Sequence, residues 1–181
     1  MIEGSAKGAR LRPPGGFARG VTRATRACVF EALGDMRCHE VLDLYAGAGA
    51  LGIEALSRGA AAATFVESSQ QAIGRLEANL QATGVQERAE VLWTKLEAVL
   101  ARPAPTRYDT IFVDPPPNAT VRTVVRDLEA LVIGGFLADR GSIVVCRSIR
   151  ESQLKPLGLT KLWERNCNER YVTAFTHQDE E

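Results

Sequence analysis

The stretch Val41-Leu-Asp-Leu-Tyr-Ala-Gly-Ala-Gly-Ala-Leu-Gly-Ile-Glu-Ala-Leu56 limits what this chain can fold into more than any other. A short apolar run meets Gly47, Gly49 and Gly52 and continues as an Ala/Leu-rich helical pattern. That order reads as a buried parallel strand, a tight turn and a helix N-terminus. Gly47 and Gly49 permit close backbone approaches that a Cβ blocks. The helix start turns unpaired N–H groups and a positive dipole end toward whatever lies above the loop. The spacing Gly47-x-Gly49-x-x-Gly52 fits a dinucleotide fingerprint but does not by itself choose a ligand. Two acids narrow the choice. Glu67 closes the next apolar run, about 20 residues past the turn, where a carboxylate accepts from a ribose diol. Asp43, inside the strand end, is suited to a cationic amino group, which S-adenosylmethionine carries and a nicotinamide dinucleotide lacks.

A second stretch, Tyr108-Asp-Thr-Ile-Phe-Val-Asp-Pro-Pro-Pro117, runs as a strand into Asp114 and stops at three prolines. Together the two stretches resemble the amino-methyltransferases, with Asp114-Pro115-Pro116 as a variant of their Asp-Pro-Pro-aromatic tetrad. More closely, residues 43–59 resemble the RsmD-type 16S ribosomal RNA guanine-N2 methyltransferases, and the likeness extends, with gaps, from about Gly4 to Tyr171. The resemblance implies a Rossmann-like class I S-adenosylmethionine-dependent methyltransferase fold, an α/β architecture. Its seven-stranded, mostly parallel sheet has helices on both faces and an antiparallel last strand. It implies S-adenosylmethionine as cofactor, held by Asp43, Tyr45, Ala46, Gly47, Gly49, Glu67, Ser68, Leu96 and Asp114. The implied catalytic residues are Asp114, Pro115 and Pro116, with Pro117 and Asn118 beside the target base. Small-subunit 16S rRNA is the implied partner.

Three positions depart from the family pattern. Lys95 stands where an acid commonly receives the adenine amino group, leaving the backbone of Leu96 or the acid Glu97 for that contact. Pro117 replaces the aromatic that stacks on an extruded base, with Tyr45, Phe17 and Tyr171 as possible substitutes. Arg19-Gly20-Val21 replaces an Arg-Pro-Thr signature, so that only the arginine carries over.

The Asp-Pro-Pro stretch has a physical logic. The lone pair of an exocyclic guanine amine is delocalised into the ring, so the nitrogen is a poor nucleophile. A carboxylate and a backbone carbonyl accepting its two N–H bonds draw it toward a tetrahedral shape, a positioning effect. Pro115 has no N–H and fixes a rigid turn.

The chain of 181 residues suits one core. At 45% hydrophobic and 24% charged it is an ordinary globular composition without a membrane-length apolar run. A cytoplasmic monomer is expected. Cys28, Cys38, Cys146 and Cys167 lack a C-x-x-C spacing and read as free buried thiols. With only His39 and His177, no metal site is expected. Net charge is zero, but no acid falls between Glu3 and Glu31, while Lys7, Arg10, Arg12, Arg19, Arg23 and Arg26 are basic. Residues 1–20, rich in glycine and carrying Pro13-Pro14, read as an irregular basic arm that orders on RNA phosphates. Residues 21–177 form the methyltransferase domain and 178–181 an acidic tail.

Thr22 caps a helix bearing Val29, Phe30 and Leu33 that ends near Gly34, with Arg23 and Arg26 projecting outward. Beyond it, strands are expected over 41–45, 62–67, 89–93, 110–113 and 142–146. Helices are expected over 51–57, 69–81, 96–101 and 121–132, and the alternation indicates a parallel α/β sheet. The runs 159–163 and 171–175 read as an antiparallel hairpin at the sheet edge. Three rival functions stay open: a catalytically silent RNA-binding protein, a DNA or protein-glutamine amino-methyltransferase, and an NAD dehydrogenase.

Overall fold

The computed structural model describes residues 1–15, 20–148, 153–168 and 170–178. Seven strands make one sheet: β1 (Glu40–Leu44), β2 (Ala62–Glu67), β3 (Ala89–Trp93), β4 (Tyr108–Val113), β5 (Leu137–Ser148), β6 (Leu159–Cys167) and β7 (Arg170–His177). The helices among the described residues are α1 (Arg23–Leu33), α2 (Ala50–Ser57), α3 (Gln70–Thr83), α4 (Leu96–Leu100) and α5 (Val121–Ile133). The strand order is β3-β2-β1-β4-β5-β7-β6. Strands β1 to β5 pair in parallel, and β7 lies antiparallel between β5 and β6. The chain winds outward from β1 to β3, then returns to lay β4 against the other side of β1. That reversal opens a crevice above the strand ends.

Alternation along the strands divides the core into two layers. Val41, Phe65 and Phe112 pack on one face with residues of α1, α2 and α3. Leu42, Leu44, Ile111 and Val113 pack on the other with Val124, Leu128 and Leu131 of α5. Thr22 caps α1 by accepting from Thr25 N at 3.2 Å. The terminal hairpin is longer than its apolar runs, because β6 is an edge strand whose polar residues carry no hydrophobic signal. No helix among the described residues is long and apolar enough to cross a membrane.

Three expectations need correction. Residues 1–15 have no helix or strand, yet they are packed against the domain instead of awaiting a partner. Met1 and Ala6 are buried. The backbone N–H groups of Ile2 and Glu3 donate to the buried Glu54 carboxylate at 2.9 and 3.1 Å, and Ala6 N donates to Ser57 Oγ at 3.0 Å. Buried polar side chains on α2 thus satisfy a segment that lacks a ladder of its own. Arg26 does not project outward. It lies 4.0 Å from Glu54 and donates to Val21 O at 3.1 Å. Finally, Cys28 and Cys167 are joined in a disulfide, tying α1 to the end of β6, because the sheet brings together two cysteines 139 residues apart. Cys38 and Cys146 are free, and only Cys146 is buried.

Candidate active site

A cavity of about 340 Å³ opens over the ends of β1, β2 and β4. Its floor is the glycine loop. Gly49, the N-cap of α2, adopts φ 80°, and a Cβ there would lie 2.3 Å from Leu76 Cδ1, so space and backbone both require glycine. Gly52 is excluded from side-chain growth by Phe65, whose Cε1 would be 2.3 Å away.

Two carboxylates occupy the loop's N–H groups. Asp43, buried at 2% exposure, accepts from Gly52 N at 2.9 Å through Oδ2. Glu67 accepts from Gly47 N at 2.8 Å through Oε2, and from Ser68 N and Ser69 N at 2.8 and 2.7 Å through Oε1. Both acids line the cavity. Burial raises the Asp43 carboxyl to about 8, opposed by the Gly52 bond and reinforced by the nearby charges of Asp114 and Glu67.

Tyr45, Ala46, Gly47, Ser68, Asp114, Pro115, Pro116 and Pro117 also line the cavity. Gly49 supports the loop from below, and Leu96 is buried in the α5-side core; neither is part of the lining. Asn118 is exposed and outside it. Lys95 is an exposed N-cap residue of α4 that makes no capping bond, and the exposed Glu97 is likewise not in the lining. Of the three substitute aromatics, Tyr45 reaches the cavity, but its hydroxyl donates to Asp127 of α5 at 2.7 Å. Tyr171 does not line the cavity, while Phe17 and Arg19 lie outside the described residues.

Pro14, Gly15, Gly20 and Val21 form part of the cavity wall, so the N-terminal segment helps build the site. Asn79, buried in α3, secures it. Asn79 Oδ1 accepts from Arg12 N at 2.8 Å, while Nδ2 donates to Arg12 O and to Ala48 O, each at 3.0 Å. One side chain therefore binds the N-terminal segment to the glycine loop. A polar residue between Leu76 and Leu80 on the apolar face of a helix was the available signal. Lys7, Arg10, Arg12 and Arg23 are exposed, the first three on the secured segment.

The cavity lining also contains a residue with no motif to announce it. Arg170, the first residue of β7, donates to Asp114 Oδ1 at 2.9 Å; their side chains are 20% and 15% exposed. Because β7 runs antiparallel, its start reaches the same rim as the ends of the parallel strands. Burial raises the Asp114 carboxyl to about 6, and the Arg170 guanidinium opposes that rise. Both histidines have structural partners, His39 Nδ1 with Thr110 Oγ1 at 3.0 Å and His177 Nε2 with Leu137 O at 3.2 Å. Among the described residues no acid, cysteine or histidine cluster is arranged to hold a metal.

Known proteins share this architecture. The family described as "Conserved hypothetical protein 95" matches residues 1–176. Ribosomal RNA small subunit methyltransferase D of Escherichia coli K12 is 35% identical over 150 residues, covering 80% of this chain and 72% of that protein. The solved structure of the Escherichia coli protein described as "Putative methyltransferase yhhF" superposes with a TM-score of 0.83 at 30% identity, covering 99% of this chain and 98% of the other. A hypothetical protein from Thermus thermophilus does so at 0.79 with 25% identity, covering 98% of each. Glycine loop, strand-end acids, Asp-Pro-Pro turn and sheet order occur together over nearly the whole chain, and the chain belongs to the RsmD-type methyltransferase family.

Proposed function

We propose that this chain uses S-adenosylmethionine to methylate the exocyclic N2 amine of a guanine in small-subunit ribosomal RNA. The name of the Escherichia coli relative supports the choice of polymer. The observation that carries the ligand reading is the occupation of the glycine loop by acids. Gly47 N, which would face a dinucleotide pyrophosphate, already donates to Glu67, and Asp43, also in the cavity lining, holds Gly52 N. The Glu67 carboxylate repels a pyrophosphate, and Asp43, which ionises beside a cation, favours an ammonium-bearing ligand. The dehydrogenase reading loses its phosphate site on the same ground.

The residues present fit S-adenosylmethionine. Asp43 would face its ammonium group, and Glu67 retains acceptor capacity for a ribose hydroxyl while it bonds the loop. When bound, the cofactor supplies an electrophilic methyl group on a sulfonium. The protein's part is to present the amine. Asp114 and the Pro115 carbonyl each accept one N–H, which orients the nitrogen lone pair and reduces its conjugation with the ring. Loss of a proton from nitrogen follows bond formation, so no strong base is required. Asp114 accepts most strongly as a carboxylate, and methyl transfer should fall as pH drops through about 6.

The test is transfer of tritiated methyl from S-adenosylmethionine to undermethylated small subunits, naked ribosomal RNA, DNA and protein, followed by nucleoside analysis. Label in N2-methylguanosine of the small-subunit RNA is expected. Label confined to DNA or to protein glutamine would transfer the mechanism to another polymer. Binding of RNA with no transfer to any of these would leave a silent RNA-binding protein.

A further inference from the structure

Arg170 has no part in the amine-holding scheme, yet its placement depends on the whole sheet. β5 lies between β4 and β7, so the guanidinium must span two strand spacings, roughly 10 Å, to reach Asp114. On the way Nη1 also approaches Cys146 O of β5 at 3.5 Å. Among the described residues, the other groups facing Asp114 do not balance its charge. Asp43 from β1 is an acid, Cys146 from β5 is a thiol that burial holds in its neutral form, and Pro115 to Pro117 carry no charge. A carboxylate buried in such surroundings takes up a proton unless a cation is held against it. A protonated carboxyl keeps only a weaker, neutral acceptor and can turn its O–H donor toward the incoming N–H.

We propose that Arg170 is a positioning residue for methyl transfer: through Oδ1 it holds Asp114 as an oriented carboxylate, leaving Oδ2 to accept from the substrate amine. The inference rests on the reading that Asp114 receives that amine. The antiparallel course of β7 beside β5 is what brings Arg170 to this rim. In a parallel orientation the first residue of β7 would lie at the opposite end of the sheet.

Arg170→Met and Arg170→Lys variants of the full chain separate this role from simple strand bracing. The Asp114 carboxyl is titrated by carbon-13 resonance, assigned by its absence in Asp114→Asn, and kcat, KM for RNA and methyl-donor affinity are measured against pH. In Arg170→Met the Asp114 midpoint should rise by about one unit or more above the parent's. The kcat near pH 6.5 should fall by about tenfold and recover in part near pH 8.5, while methyl-donor affinity stays within about twofold. Arg170→Lys keeps a charge without the fork and should restore the midpoint and part of kcat. An unchanged Asp114 midpoint in Arg170→Met overturns the proposal. So does a loss of kcat equal at every pH that lysine does not restore. If the parent methylates no polymer, the substrate reading fails, and the carboxyl titration alone decides whether Arg170 keeps Asp114 charged.

Discussion

Asp43 both anchors the first turn of α2 and lines the cavity, and its carboxyl is raised to about 8 by burial. In the empty protein it is therefore mostly protonated at neutral pH. An ammonium group beside it favours ionisation, so cofactor binding near pH 7 should release close to one proton and tighten as pH rises toward about 8. Calorimetry in buffers of different ionisation enthalpy measures this directly, and Asp43→Asn should abolish the release. The same raised value means that the folded empty protein binds a proton that the unfolded chain has lost. Its contribution to stability is present in acid and disappears as pH rises through about 8, and Asp43→Asn should flatten that part of the pH–stability curve. Asn79→Ala leaves Arg12 and Ala48 backbone groups without their partner, at roughly 1 kcal/mol per bond. It should lower the unfolding free energy by about 2 to 4 kcal/mol and also weaken cofactor binding, since the cavity wall moves with Arg12. Asp43, Glu67 and Asp114 were legible in the sequence: Asp43 interrupts the apolar run that leads into the glycine turn, Glu67 closes the next apolar run, and Asp114 closes one that stops at prolines. Asn79 and Arg170 were not, because their partners are 67 and 56 residues away along the chain and meet them only in the folded protein.

The glycine turn and α2 behave as one packed element. Gly52 sits in the first turn of the helix against Phe65 of β2, with Asp43 Oδ2 at 3.1 Å from the position of an added Cβ. Phe65 is fully buried and has nowhere to retreat. Gly52→Ala should cost about 1 to 3 kcal/mol by overpacking and displace the Asp43 carboxylate, a combined loss of stability and cofactor affinity measurable by denaturant unfolding and calorimetry. The parallel strands and their helices follow from hydrophobic period and were readable to within a few residues, except β5, which spans Leu137–Ser148 where 142–146 was expected. The hairpin was readable as a pair but not in length, since β6 presents mostly polar residues at the sheet edge. The Cys28–Cys167 disulfide was hidden for a related reason: nothing in the local spacing reveals that α1 packs beside the end of β6. Thr25 Oγ1, one turn before Cys28, donates to Cys167 O at 3.3 Å and marks that contact.

Across the whole molecule the net charge is zero, yet Lys7, Arg10, Arg12 and Arg23 stay exposed around a segment whose next residues wall the cavity. Exposed basic groups on a segment that runs on into the cavity wall suit a polymer with a phosphate backbone. Neutralising all four should reduce the log–log salt slope of RNA binding by roughly 3 units if each contacts a phosphate, while leaving cofactor affinity nearly unchanged. Removal of residues 1–20 would be a poorer experiment, because Pro14, Gly15 and Gly20 would be lost from the cavity wall. Charge asymmetry was visible in the sequence; the tethering of its carrier to α2 and α3 was not, since that tethering depends on Glu54 and Asn79 being buried. The central claim, that Asp114 presents the acceptor amine in this cavity, is tested most directly by single-turnover methyl transfer to undermethylated small subunits with Asp114→Ala. The rate should fall by about 10²–10³, the order expected for loss of a preorganised polar partner, with methyl-donor affinity changed much less. A rate within about twofold of the parent's would contradict the account.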